Sequence, residues 1–297
     1  MIYGLVEVTP KMNKKKLIIT IIIAVAIITA IGFAIFYNKN EDIFIANKNL
    51  ISEENIVVSE TVNKETKKQK HIANVNFLPV YSEEAKNKIN NIYNSGEKCV
   101  YLTFDDGPSK TVTPLILDLL KQENIKATFF VLGARVDLNP SIVKREYEEG
   151  HFIANHGYSH IYSNIYASTQ SVLDEYNKTQ QAIKNALGLE YNGHIFRFPG
   201  GSSGGKYNSL KRDAKLVLNE NQICHIDWNA LNSDAAGAKT KEALLESVKN
   251  TVGEKTTVVI LMHDAGDKIL TYEVLPEVIA YLREKGYTFK SFYDIMK

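Results

Sequence analysis

The sequence predicts an α/β domain built on a parallel sheet, with one apolar segment ahead of it. Three observations carry this. From Cys99 onward, short β-rich runs alternate with helical runs, and that alternation folds as a parallel sheet. The residues able to do chemistry follow the strand-like runs, at the ends where α/β folds collect their active sites. Leu17 to Phe36 carries no charge at all.

The apolar stretch comes first. At about 1.5 Å per residue, a helix of that length spans a hydrocarbon core of roughly 30 Å. Lys11, Lys14, Lys15 and Lys16 precede it, while Lys39 is soon met by Glu41 and Asp42. The positive-inside rule then makes 1–16 a cytoplasmic N-terminus and 17–37 a transmembrane signal-anchor, with the rest extracytoplasmic at the cell membrane. The competing reading is a cleaved signal peptide and a secreted protein. Against it, the stretch is longer than an ordinary signal core, and its only small-x-small site near the end is Gly32-Phe33-Ala34. No Cys lies nearby to carry a lipid.

Residues 38–96 read as a polar stalk, rich in Asn, Lys, Glu and Ser, ending in a short helix over Ser82–Tyr93. The folded domain is 97–297. Its expected elements are a strand at Cys99–Leu102, a helix at Pro114–Gln122 and a strand at Ala127–Leu132. Asn139-Pro140 supplies an N-cap and a first-turn proline for a helix that closes at Gly150. A strand at Phe152–Asn155 and a long helix from Ser168 to Leu187, stopped by Gly188, follow. Strands at Ile195-Phe196, Ile223–Asp227 and Thr257–Met262 come next, then a helix at Tyr272–Lys285 and a last strand at Tyr287–Phe289. Cys99 and Cys224 sit in apolar runs and read as buried free thiols rather than a disulfide. The balance of 35 Lys and Arg against 34 Asp and Glu gives no basic stripe, so nucleic acid is not an expected partner.

Thr103-Phe104-Asp105-Asp106-Gly107 ends the first strand. Two adjacent carboxylates repel, and a divalent cation is the usual partner that offsets this. His156-Gly157-Tyr158-Ser159-His160 then offers two imidazoles four residues apart. One carboxylate plus two histidines binds metal and leaves positions open for water and substrate. His71, His194 and His225 read as structural or solvated, and His151 begins its strand, at the wrong end for a site.

Phe196-Arg197-Phe198-Pro199-Gly200-Gly201, Ile226-Asp227-Trp228 and Ile260-Leu261-Met262-His263-Asp264 follow in order. With all five regions present, the chain resembles the polysaccharide deacetylases of carbohydrate esterase family 4, the NodB-homology domain, over residues 97–297. The resemblance implies a distorted, TIM-like (β/α) barrel, where spacing alone allows either an open sheet or a barrel. It implies one divalent metal, zinc or alternatively cobalt or nickel, on Asp106, His156 and His160. By the same resemblance Asp105 is the general base, oriented by Arg197. His263 is the acid, held and charged by Asp227. Trp228 and Leu261 wall the acetyl methyl group, and the backbone N–H of Gly200 helps bind the oxyanion.

Two departures stand out. Gly157 replaces the usual Ser or Thr after the first histidine, and Gly200 replaces the usual aromatic after Pro199. A wider groove and a mobile loop are expected at Gly200. The implied activity is hydrolysis of N-acetyl groups on N-acetylglucosamine of peptidoglycan, a cell-wall glycan. Rivals are N-acetylmuramic acid or an exopolysaccharide as substrate, a non-catalytic glycan-binding protein, and a two-metal phosphoesterase.

Overall fold

The computed structural model describes residues 78–296. The expected membrane segment and most of the stalk lie outside them. Among the described residues no helix is long and apolar enough to cross a membrane.

Among the described residues eight strands form one parallel sheet: β1 (Cys99–Asp105), β2 (Thr128–Val131), β3 (Phe152–Asn155), β4 (Ile195–Phe196), β5 (Cys224–His225), β6 (Ala230–Leu231), β7 (Thr257–His263) and β8 (Thr288–Lys290). The order is β5-β4-β3-β2-β1-β7-β6, and β8 pairs with the start of β1. The sheet curls into an open half-barrel, which is the form that the expected distorted (β/α) barrel takes here. β5 and β6 are joined only by residues 226–229. Adjacent parallel strands need a crossover of roughly a dozen residues, so these two stay on opposite edges.

Side chains alternate across the sheet with a period of two. Leu102, Phe104, Phe129, Val131, Ile260 and Met262 point outward and pack on Ile116, Leu120, Val274 and Val278 of the helices Thr113–Gln122 and Ile269–Glu284. Tyr101, Phe130, Phe152, Ile195, Ile226 and Val259 point inward. Phe292, Met296 and the helix Glu83–Asn90, through Ala85 and Ile89, join this inner cluster. Each such side chain contributes roughly 1.5–3 kcal/mol on burial. They fill the lower half of the barrel and leave its upper end, where the strands finish, to polar residues.

Several expected elements shift. The strand expected over Ile223–Asp227 keeps only Cys224-His225, and β6 was not anticipated. Neither were the helices Gly133–Leu138, Asn208–Glu220 and Lys241–Val252. Asn139 holds the N-cap position of the helix Pro140–Glu148, with Pro140 in its first turn as expected, but its side chain makes no capping hydrogen bond. It lies between two helices and donates to Pro108 O and Arg135 O, both at 3.1 Å. Cys99 and Cys224 are free and buried, as the sequence suggests.

The short strands leave backbone groups that side chains satisfy. Tyr191 Oη donates to Ile153 O at 2.9 Å and accepts from Ile153 N at 3.1 Å, where β4 is too short to reach. Asn229 does the same for β7. Its Nδ2 donates to Thr257 O at 2.9 Å, and its Oδ1 accepts from Val259 N at 2.8 Å. Asn229→Ala therefore strips two partners from β7 and should lower stability by about 1–3 kcal/mol. Urea unfolding checks this, and an unchanged midpoint with unchanged slope would contradict it.

Candidate active site

The site forms where β1, β3, β4 and β7 end. Asp105 and His263 occupy registered positions on β1 and β7, so both project inward side by side. Thr103 and Leu261 register one inward position lower. After β1 the backbone turns sharply at Asp106, with φ 73°. Gly107 must stay bare, because a Cβ there would lie 2.1 Å from Asp264 Oδ2. Asp264 is buried beneath the turn, its N–H donating to Asp105 O at 3.1 Å, and burial raises its carboxyl to about 7.

The turn aims Asp106 at the two histidines. Its Oδ1 lies 3.5 Å from His156 Nε2 and 3.3 Å from His160 Nε2. That oxygen is buried and accepts no hydrogen bond, an arrangement that ordinarily calls for a cation. His156 Nδ1 donates to Arg197 O at 2.8 Å. A carbonyl only accepts, so the proton sits on Nδ1 and the Nε2 lone pair is free to ligate. Burial also drives the His156 pKa down to about 3, keeping the ring neutral. Asp106, His156 and His160 thus form a group able to hold a metal ion. The loop bearing the two histidines is fastened by Glu175, which sequence reasoning missed. Its carboxylate accepts from Tyr158 N at 2.6 Å, Ser159 N at 2.7 Å and Ser159 Oγ at 2.8 Å. These bonds fix the loop without a hydroxyl at position 157.

Arg197 is fully buried. Nη1 donates to Asp105 Oδ1 and Thr103 Oγ1, each at 2.7 Å, Nη2 to Asp227 O at 3.0 Å and Nε to Ile226 O at 3.3 Å. Its guanidinium lies 3.8 Å over the Phe130 ring. Burial pushes the Asp105 carboxyl above its ordinary range, and Arg197 and His263 pull against that rise.

The expected partnership of Asp227 with His263 is wrong. Asp227 Oδ1 and Oδ2 accept from Ser202 N at 2.9 and 3.1 Å, and Oδ2 from Ser202 Oγ at 2.7 Å. The carboxylate that holds His263 is Asp234, whose Oδ1 is 2.7 Å from Nδ1 and whose Oδ2 accepts the His263 N–H at 2.9 Å. Asp234 comes three residues after β6, on the neighbour of β7, and the unexpected strand is why it was missed. An acid soon after Ala230-Leu231 was the only available signal. Burial alone would lower the His263 pKa, but the hydrogen bond and charge of Asp234, with Asp105 and Asp106 adding, lift it to about 9.

The Gly200 loop also departs from expectation. Its first half is tied down rather than mobile. Gly201 N donates to Phe198 O at 2.8 Å, buried Lys211 Nζ to Gly201 O at 2.7 Å, and Tyr166 Oη to Pro199 O at 2.6 Å. Gly200 itself is exposed. Trp228 flanks the loop, since a Cβ on Gly201 would meet its Cη2 at 3.4 Å. Histidine 151 is structural: it is buried, and its Nδ1 accepts from Ala127 N at 3.1 Å.

In the metal-free protein His263 should titrate near pH 9, against an ordinary 6.5, when followed by NMR. Because the folded value is the raised one, the pair's stabilisation is full below 6.5 and is lost as pH rises through about 9. Asp234→Asn should bring the titration down toward 6.5, and Asp227→Asn should leave it in place. The opposite pattern would restore Asp227 as the partner.

Comparison with known proteins shows what the chain is similar to. A family model described as polysaccharide deacetylase matches residues 93–218. The chain is 34% identical over 229 residues to a peptidoglycan-N-acetylglucosamine deacetylase of Bacillus cereus, covering 74% of this chain and 80% of that protein. Among solved structures, a CE4 esterase of Streptococcus mutans aligns with TM-score 0.64 and 33% identity, over 72% of this chain and 92% of the other. The catalytic domain of a peptidoglycan N-acetylglucosamine deacetylase from Eubacterium rectale aligns with TM-score 0.59 and 32% identity, over 67% and 90%. A curled parallel sheet carrying buried carboxylates and histidines at its strand ends, together with these likenesses, establishes that the chain belongs to the polysaccharide deacetylase family, carbohydrate esterase family 4, and is a polysaccharide deacetylase.

Proposed function

We propose that the protein hydrolyses N-acetyl groups of N-acetylglucosamine in peptidoglycan, releasing acetate, with one divalent metal held by Asp106, His156 and His160. The observation that carries the reading is the buried, unbonded Asp106 oxygen facing two imidazole nitrogens, with Asp105 paired to Arg197 beside it. Zinc suits two imidazoles and a carboxylate, and when bound it polarises a carbonyl and acidifies water.

The chain's own residues supply the rest. Asp105, oriented by Arg197 and raised by burial, is the base that takes the proton of the attacking water. His263, cationic at neutral pH through Asp234, donates to the departing amine nitrogen. Gly200 N–H, which has no protein acceptor among the described residues, is available to the developing oxyanion. Trp228 and Leu261 are the proposed apolar contacts for the acetyl methyl group.

The peptidoglycan substrate is supported by what the relatives from Bacillus cereus and Eubacterium rectale are called. An anchored, extracytoplasmic placement is supported by the uncharged run at 17–36 behind its lysines. A membrane anchor would hold the enzyme against the wall it acts on.

Chelation should abolish acetate release from N-acetylglucosamine oligomers, and added zinc should restore it. Full turnover by the metal-free protein would contradict the metal assignment. Asp105→Asn should keep fold and metal and lose about 10²–10⁴-fold in kcat, the range of a general base. Near wild-type turnover would remove Asp105 from that role. Mass spectrometry of treated wall fragments should place the lost acetyl groups on N-acetylglucosamine. Loss from N-acetylmuramic acid would change the substrate and leave the chemistry intact.

A further inference from the structure

Position 200 holds glycine where the family resemblance leads to an aromatic, and another part of the chain fills the space. A Cβ built on Gly200 would lie 2.5 Å from Tyr162 Oη, 3.2 Å from its Cζ and 3.3 Å from its Cε2. A side chain at 200 and the Tyr162 ring thus claim one volume. The Gly200 backbone, at φ 74°, further disfavours any residue with a Cβ.

Tyr162 opens the short helix Tyr162–Ile165, two residues after His160. Its ring meets His160 edge-on at 5.7 Å on one side and Tyr166 at 5.7 Å on the other. Tyr166 is in turn bonded to Pro199 O. Tyr162 is therefore held between the histidine loop and the Gly200 loop, yet it remains 39% exposed. A ring so fixed and still open to solvent is not filling a core. Trp228 stands against Gly201 on the same loop, so aromatic rings abut both glycines.

We propose that Tyr162 is a substrate contact that selects for a sugar: its ring packs on the apolar face of the N-acetylated pyranose beside the site. The wall absent at position 200 is thus supplied from the histidine loop. The groove is not widened, as glycine at 200 alone suggests, but lined from a different element. This rests on the deacetylase reading above. A contact made equally in the bound substrate and in the transition state acts on KM rather than kcat.

The test is kcat and KM of the full chain on N-acetylglucosamine oligomers for wild type, Tyr162→Ala and Tyr162→Phe, with zinc content measured in each. Tyr162→Ala should raise KM about tenfold and change kcat by less than about threefold, the pattern of a lost binding contact. Zinc content should hold, and Tyr162→Phe should stay close to wild type. An unchanged KM in Tyr162→Ala overturns the proposal. A joint fall of kcat and zinc content also overturns it, showing that the ring only props the His160 loop. A wild-type protein that releases no acetate from these oligomers is a separate failure, since it sinks the N-acetylglucosamine reading itself and this contact with it.

Discussion

A guanidinium with no solvent exposure sits where the half-barrel fails to close. Arg197 leaves the end of β4 and reaches across to β1 through Asp105 and Thr103. It also holds the crossing segment through Ile226 O and Asp227 O. Residues 226–229 connect two strands that cannot pair, so their carbonyls find this donor in place of a ladder. Its charge is offset by one carboxylate and spread over the face of Phe130. Such a pair adds little net stability over an apolar core, but removing either partner strands a buried charge. The fold and the Asp105 carboxylate therefore depend on one another.

The remaining geometry follows from that frame. Register on parallel strands sets Asp105 beside His263, so the proposed base and acid are adjacent without any loop to place them. The loops that complete the site are each fixed by a carboxylate accepting backbone N–H groups: Glu175 for the histidine loop, Asp227 for the Gly200 loop and Asp234 for the strand end at His263. The Gly200 loop, glycine-rich and seemingly loose, is held further by Lys211 and Tyr166.

Legibility in the sequence followed strand length. β1 and β7 each run seven residues and announce themselves, so Asp105, Asp106, Gly107 and His263 were read at their ends. His156, His160 and Arg197 were found through recognisable local patterns, and the structure brings them together with the β1 carboxylates. β6 is two residues long, too short for any periodicity, so Asp234 went unseen and Asp227 was given its role. Lys211, on the unanticipated helix Asn208–Glu220, is only 4% exposed, because its ammonium finds the Gly201 carbonyl. Tyr162 and Gly200 share one space through folding, and nothing local to either residue records it.

The account turns on the mutual dependence of Arg197 and Asp105, and a double-mutant cycle of unfolding free energy tests it directly. With chelator present, Arg197→Met and Asp105→Leu should each cost about 3–5 kcal/mol, the price of leaving one buried charge unpaired. The double variant, which leaves neither partner of the pair charged, should cost about 2–3 kcal/mol less than the two single losses added together, and that difference is the coupling energy. Losses that simply add would contradict the account, because Arg197 and Asp105 would then stand as independent residues that merely touch.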